Sequence, residues 1–324
     1  MVLGWLGQVL FQVPWIIKHG YRFKFSLNFK DCNVINTFKI ALPIMLVSLV
    51  NPIISMVNMG IASGINGGMA VSAIEYSYSL FLTISAIFSY TIGNFIFPTL
   101  SKLNIKNKFG EFKSLVNKAL DLVMLYSIPV SVILMFCAKL IIKILYERGE
   151  FTSYSTELTS GVLIIYGLAI LSFSINTIMN KCYYSMSKTK IPFITGIISI
   201  MVNLFLGVIL SKFIGVKGVA FAYVISSFVN SLLLILLLNK NINVINKYIV
   251  KQLFKNVVSG IGMYIILSLL NNMLNGTGII ASISVLVLNG VVGLGIFILI
   301  NLILKNSLVI NVVDIIKNKF KKCT

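Results

Sequence analysis

Histidine, charge and paired cysteine are nearly missing from this chain, and each shortage closes off a class of function. One histidine, His19, in 324 residues leaves nothing from which to build a histidine metal centre or a proton relay. Four cysteines, Cys32, Cys137, Cys182 and Cys323, fall singly, without the spacing of a disulfide framework or a zinc site. No glycine-rich phosphate cradle or nucleophile motif occurs anywhere. The sequence therefore reads as non-enzymatic, with no metal and no cofactor.

Only 11% of the residues are charged, whereas 58% are hydrophobic and the mean hydropathy is +0.98, far outside soluble usage. This is the composition of a polytopic membrane protein. Eight apolar runs are long enough to cross a bilayer, at about 38–62, 72–99, 117–138, 158–180, 191–211, 215–238, 253–272 and 278–304. None alternates with the period of a membrane β-strand, so the fold class is all-α, a polytopic helix bundle of eight full spans plus an N-terminal partial span.

The formal net charge of +19 would suit a nucleic-acid binder, but its distribution argues otherwise. Lys18, Arg22, Lys24, Lys30 and Lys39 precede the first full span; Lys102, Lys106, Lys108, Lys113 and Lys118 follow the second. Lys181, Lys188 and Lys190 follow the fourth, Lys240, Lys247, Lys251 and Lys255 the sixth, and Lys305, Lys317, Lys319, Lys321 and Lys322 the eighth. Alternate connections thus hold 22 of the 27 basic residues, which predicts that these and the C-terminus are cytoplasmic. The charge reports orientation and contact with anionic lipid, not DNA or RNA.

Met1 to Ile17 is apolar but begins abruptly, and is expected to be the end of a span whose beginning lies outside the sequence. Residues 18–37 mix basic and aromatic side chains and read as an interfacial linker on the inner leaflet. In the first full span Pro52 removes a helical donor and predicts a mid-membrane kink, as does Pro129 in the third. The stretch AKLIIKILYERGEFTSYSTELT carries balanced charge and reads as an external amphipathic segment with a glycine turn, either the mouth of a transport path or a solvated loop. The tail NVVDIIKNKFKK has the spacing of a basic amphipathic helix on the inner leaflet.

The second span organises the functional reading. Ile74 to Leu100 exceeds the ~20 residues that cross ~30 Å of hydrocarbon. Within it Glu75, Tyr76, Ser79 and Thr83 recur at helical spacing on an otherwise Phe, Ile, Leu and Ala helix. Hydrocarbon offers such a stripe no hydrogen-bond partner, so it is expected to face a hydrated cleft. Glu75 reads either as a carboxylate reaching the external interface or as a cavity acid that recruits a cation or proton. Asp121 is expected to pair with Lys118, and Asn203 and Asn230 to bond between helices.

Several short motifs occur in order along the chain: ALP at Ala41–Pro43, IAS at Ile61–Ser63, NFIFPTLSKL closing the second span, LYERGEF at Leu145–Phe151, and GVKGVAFAYVISSFVNSLLL at Gly215–Leu234. Together they resemble the lipid II flippase family (MurJ, also called MviN), of the same superfamily as the MATE exporters and the polysaccharide-unit flippases. The resemblance implies two six-helix lobes and a terminal helix pair, the lobes opening alternately to move an undecaprenyl-linked peptidoglycan precursor across the bacterial plasma membrane. This chain matches the second lobe and the terminal pair only, which implies the division 1–17 partial span, 18–37 linker, 38–238 second lobe, 239–304 terminal pair and 305–324 basic tail.

Two expected cavity charges are absent. In the family the second span here reads YA-x-R-L, and its arginine falls on Ser79 in EYSYSL, although Tyr76 and Leu80 keep the family type. An Asp-Arg pair late in the preceding helix falls on Asn58-Met59. The resemblance thus assigns the substrate cavity to Asn58, Glu75, Tyr76, Ser79 and Thr83, with a lipid-linked glycan and membrane lipid as partners. It also implies a first lobe supplied by a separate chain or replaced by a second copy. The alternatives are a non-transporting scaffold or degenerate fragment, or an exporter of polysaccharide units or amphipathic cations.

Overall fold

A computed structural model of the chain describes residues 2–20, 31–65, 68–242, 247–271 and 279–310. Among these residues it is helical throughout, with α1 Val2–Lys18, α2 Cys32–Ser48, α3 Val50–Ser63, α4 Met69–Ile105, α5 Phe109–Phe136, α6 Ala138–Tyr146, α7 Ser153–Ser185, α8 Lys190–Ile214, α9 Val216–Ile242, α10 Lys247–Asn271 and α11 Ile279–Ile303. Each of the eight expected spans has a helix long and apolar enough to cross a membrane. The amphipathic tail beyond residue 310 and Cys323 lie outside the described residues.

Residues 1–42 and 43–324 are separate compact units. The first holds α1, where Trp15 and His19 stack with ring centroids 4.3 Å apart, and the start of α2. Helix α2 begins at Cys32, inside the stretch expected to be linker.

In the larger unit, α7 is the most buried span, with α4, α5 and α9 packed against it. Its sequence explains the position. Ser160, Gly161, Gly167, Ala169, Ser172 and Ser174 are small enough for neighbouring backbones to approach, which is how helices associate where hydrophobicity alone gives no preference over lipid. Outside this centre α8 packs on α9 and α3, α10 on α5, and α11 on α10.

Three apolar clusters form the core. The smallest joins α5 to α10 and α11 around Ile128, Met263, Leu267 and Phe297, and the other two are larger. One contains the first half of α4, the start of α7 and the start of α9, including Ile74, Phe81, Tyr166, Phe173 and Tyr223. The rings of Tyr78, Phe81, Tyr166, Phe173 and Tyr223 lie 5.4–5.9 Å apart in edge-on, tilted and offset pairs. The other joins the ends of α4 and α7 to the start of α5, around Leu100, Phe112, Val116, Met179 and Tyr183. Between them runs a belt of hydroxyls. Ser89, Tyr126 and Ser174 bond to one another, and Ser172 bonds Ser227, whose carbonyl accepts from Asn176 and Ser231. Because these groups are mutually satisfied, a polar layer at membrane depth holds α4, α5, α7 and α9 together.

The ring of Pro52 excludes the hydrogen bond that the Ser48 carbonyl would receive, and α2 stops at Ser48 with a one-residue break before α3. Pro129 does not interrupt α5. The amphipathic segment after the third span contains a helix, α6, that buries Ala138 and Ile142 while exposing Lys139 and Lys143.

Candidate functional site

Helix α4 carries two unlike faces. Ala70, Ala73, Ile74, Ser77, Phe81, Ser85 and Ser89 are buried, and Ser77 donates to the Thr159 carbonyl of α7 at 2.8 Å. Opposite them Glu75, Tyr76, Ser79 and Thr83 are exposed, and Thr83 returns its hydroxyl to the Ser79 carbonyl at 2.8 Å. The helical spacing therefore places these four together on one exposed face, with Tyr76 at its edge packed on Tyr146 and Phe151.

Asn58 is elsewhere. It is buried on α3, 1% exposed, where the Tyr166 hydroxyl faces it without reaching hydrogen-bonding geometry. Close approaches of Gly196 to Val50 and of Gly207 to Ile61 put Asn58 level with Asn203 of α8. Among the described residues neither amide atom of Asn203 finds a partner, nor does the Asn230 side-chain oxygen, so the expected interhelical bonds at those atoms are not made. Asp121 corrects a second expectation. It is 3% exposed and forms no ion pair with Lys118, because its position on α5 turns it towards the α10 side, near the Tyr248 hydroxyl.

Two concavities adjoin this scaffold. The first, of about 270 Å³, lies between the end of α2 and α3, α4, α7, α8 and α9, and is lined by Asn51, Asn176, Asn180, Lys181, Ser227 and Asn230 among others. Lys181, counted in sequence as a loop cation, is inside α7; its stem occupies the space left by Gly93, and its ammonium sits 5.5 Å from the Phe97 ring centroid. The sequence signal was Asn176 and Asn180, four residues apart on a buried helix.

The second concavity, of about 310 Å³, lies at the start of α4 against the turn between α6 and α7, lined by Ser72, Tyr76, Arg148, Glu150, Phe151 and Ser155 among others. Tyr76 stacks at 4.6 Å on Tyr146 and meets Phe151 edge-on at 5.9 Å. Partial burial, with the Tyr76 ring beside it, raises the Tyr146 phenol above its ordinary pKa. Among the described residues no group of three or more metal-ligating side chains occurs.

Eight membrane-length helices make the molecule a polytopic membrane bundle, and its fold is shared with solved transporters. A MATE transporter in its bent conformation superposes with a TM-score of 0.55 at 15% identity, over 80% of this chain and 62% of that one, a likeness of fold alone. The solved lipid II flippase MurJ, inward closed conformation, superposes with a TM-score of 0.68 at 26% identity, over 87% of this chain and 57% of that one. The sequence model of the lipid II flippase MurJ matches residues 1–289, and the chain belongs to that family. It is a multi-pass membrane protein. The probable lipid II flippase MurJ of Vibrio cholerae is 32% identical over 232 residues, 72% of this chain and 44% of the relative. That of Buchnera aphidicola is 28% identical over 235 residues, 72% of this chain and 46% of the relative. The chain thus spans about half the length of the curated relatives it matches.

Proposed function

We propose that this chain forms one lobe of a flippase that carries lipid II, an undecaprenyl-linked peptidoglycan precursor, across the bacterial plasma membrane. Glu75, Tyr76, Ser79 and Thr83 form the lobe's contribution to the substrate cleft, with Asn58 as a buried support behind it. The observation that carries this reading is the uncovered polar face of α4. Set against hydrocarbon, such a face lacks hydrogen-bond partners, and a central charge costs about 2.5–3.5 kcal/mol. Set against a second lobe across a hydrated cleft, it is solvated and available to a polar head group. The second lobe belongs to the same polypeptide, to a separate chain or to a second copy. The division into linker, lobe, terminal pair and tail, and the cytoplasmic C-terminus, are parts of the same proposal.

The neutral residues Ser79 and Asn58, where the family resemblance expects charge, favour one competing reading, a membrane scaffold that does not transport. Cells depleted of their own lipid II flippase separate the two. The 324-residue chain is expected to restore growth only when a six-helix first lobe is expressed with it. Rescue by this chain alone, monomeric in detergent, would overturn the need for a second lobe. Failure of the pair to rescue despite co-purifying would favour the scaffold.

A further inference from the structure

We propose that the cleft between the first turns of α4 and the turn joining α6 to α7 binds the carboxylate-bearing peptide of an amino-sugar glycopeptide. The ligand class rests on the flippase reading, since the head group of lipid II is such a glycopeptide, but the site rests on its own geometry.

Its central group is Arg148. Of 27 basic residues, 25 are lysine, and the only arginines are Arg22 and Arg148. Apart from Arg22 before the first full span, the charges that mark orientation are all lysine. A guanidinium differs in offering a rigid planar fork that meets a carboxylate with two parallel hydrogen bonds. Arg148 forms no ion pair although Glu147 and Glu150 flank it; among the described residues the ion pair present is Lys108 with Glu111. The Glu147 carboxylate is already occupied, accepting from Thr156 at 2.7 Å and from Ser153 at 3.3 Å.

The turn that presents Arg148 is fixed. The Arg148 amide donates to the Tyr146 carbonyl at 2.7 Å, the Phe151 amide donates to the Arg148 carbonyl at 3.2 Å, and Gly149 supplies the left-handed residue, at φ +60°, that the turn requires. Thr152 then caps α7. Against this turn Tyr76, Tyr146 and Phe151 form an aromatic wall with centroids 4.6–6.0 Å apart. Ser72 and Ser155 add hydroxyls to the lining, and Glu150 adds an acceptor.

These groups select a chemistry. Arg148 and Glu150 leave the lining with no net formal charge, so a phosphate dianion is not compensated, whereas a single carboxylate accompanied by amide and hydroxyl donors meets both side chains. A bare anion would leave the rings unused; sugar C–H faces and alanyl methyls pack on them. A volume of about 310 Å³ holds a sugar or a short peptide stem, not a whole lipid-linked head group. The cleft lies at the lysine-poor end of the bundle, where in the orientation proposed above a transported head group emerges.

The test is saturation-transfer NMR on the full chain in detergent micelles, titrated with N-acetylmuramoyl-L-alanyl-D-isoglutamine, a soluble glycopeptide with one free carboxylate, and in parallel with N-acetylglucosamine, which has none. The expected result is binding in the millimolar range, about tenfold weaker for N-acetylglucosamine. Arg148→Gln is expected to weaken glycopeptide binding about tenfold, and Arg148→Lys to weaken it by less, because the ammonium keeps the charge but loses the fork. Tyr76→Ala reports the ring wall in the same titration, and unchanged helical circular dichroism shows that each variant is folded. Equal affinity for the two ligands, unchanged affinity in Arg148→Gln, or no binding to the folded wild-type chain would overturn the proposal. Growth rescue is scored separately: a chain that binds without rescuing keeps this site and loses the transport role, whereas one that rescues without binding loses this site alone.

Discussion

Ser79 sits on the uncovered face of α4 beside Glu75, so a larger and charged side chain there meets no packed neighbour in the lobe. Ser79→Arg is therefore expected to insert and fold as the wild type does, with an unchanged melting temperature in detergent; loss of the protein from the membrane fraction would show that the face lies against lipid. Burial sorts the cysteines in the same way. Cys137 and Cys182 are at most 3% exposed, so their thiols are inaccessible to reagent in the folded chain. In a Cys323→Ser background, maleimide is expected to label exposed Cys32 in the folded chain and to reach Cys137 and Cys182 only after denaturation. At this scale the sequence was partly legible. Periodicity put Glu75, Tyr76, Ser79 and Thr83 on one face, because a helix fixes angular spacing whatever surrounds it. It had no means of seeing that Asn58 faces the interior, or that Asp121 points away from Lys118, because those facts depend on which neighbour occupies the other side.

Among the helices the glycine and alanine motif after α8 has a physical account. Gly215, at φ +61°, ends α8 in a conformation that side chains disfavour. Three residues on, a Cβ at Gly218 would stand 2.2 Å from the Leu210 carbonyl oxygen, and buried Ala220 and Ala222 keep the α8–α9 interface thin. Because the obstacle is backbone, Gly218→Ala is expected to destabilise the protein by about 1–3 kcal/mol, read as a lowered unfolding temperature, whereas Gly290→Ala, which meets nothing within 4 Å, leaves it unchanged. Spans were legible because crossing hydrocarbon demands a length of apolar residues that few other segments share. Their ends were not. Helix α4 runs 37 residues, about 55 Å, well beyond the ~30 Å core, since lysines mark the membrane edge while the backbone continues helical past it.

At the scale of the whole molecule, the placement of Lys181 inside α7 removes one cation from the connections but leaves the asymmetry between the two ends of the bundle. Lys102, Lys106, Lys108, Lys188, Lys190, Lys240 and Lys255 gather at one end; Lys139, Lys143, Arg148, Lys212 and Lys217 occupy the other, where Glu147, Glu150 and Glu157 offset them. Basic connections are retained on the cytoplasmic side during insertion, so the proposed orientation predicts that the α4–α5 connection faces the cytoplasm and the α6–α7 turn faces outward. Two single-cysteine chains test this. In a background lacking the four native cysteines, Lys108→Cys is expected to react with a membrane-impermeant maleimide only after cells are opened, and Glu157→Cys, on the exposed side of the first turns of α7, to react in sealed cells. The reverse pattern would invert the bundle and move the Arg148 cleft to the side where lipid-linked precursors are made, turning an exit site into an entry site. Labelling of both positions in sealed cells would instead show that α5, the membrane-length helix between them, does not cross the membrane, and the eight-span topology would fall.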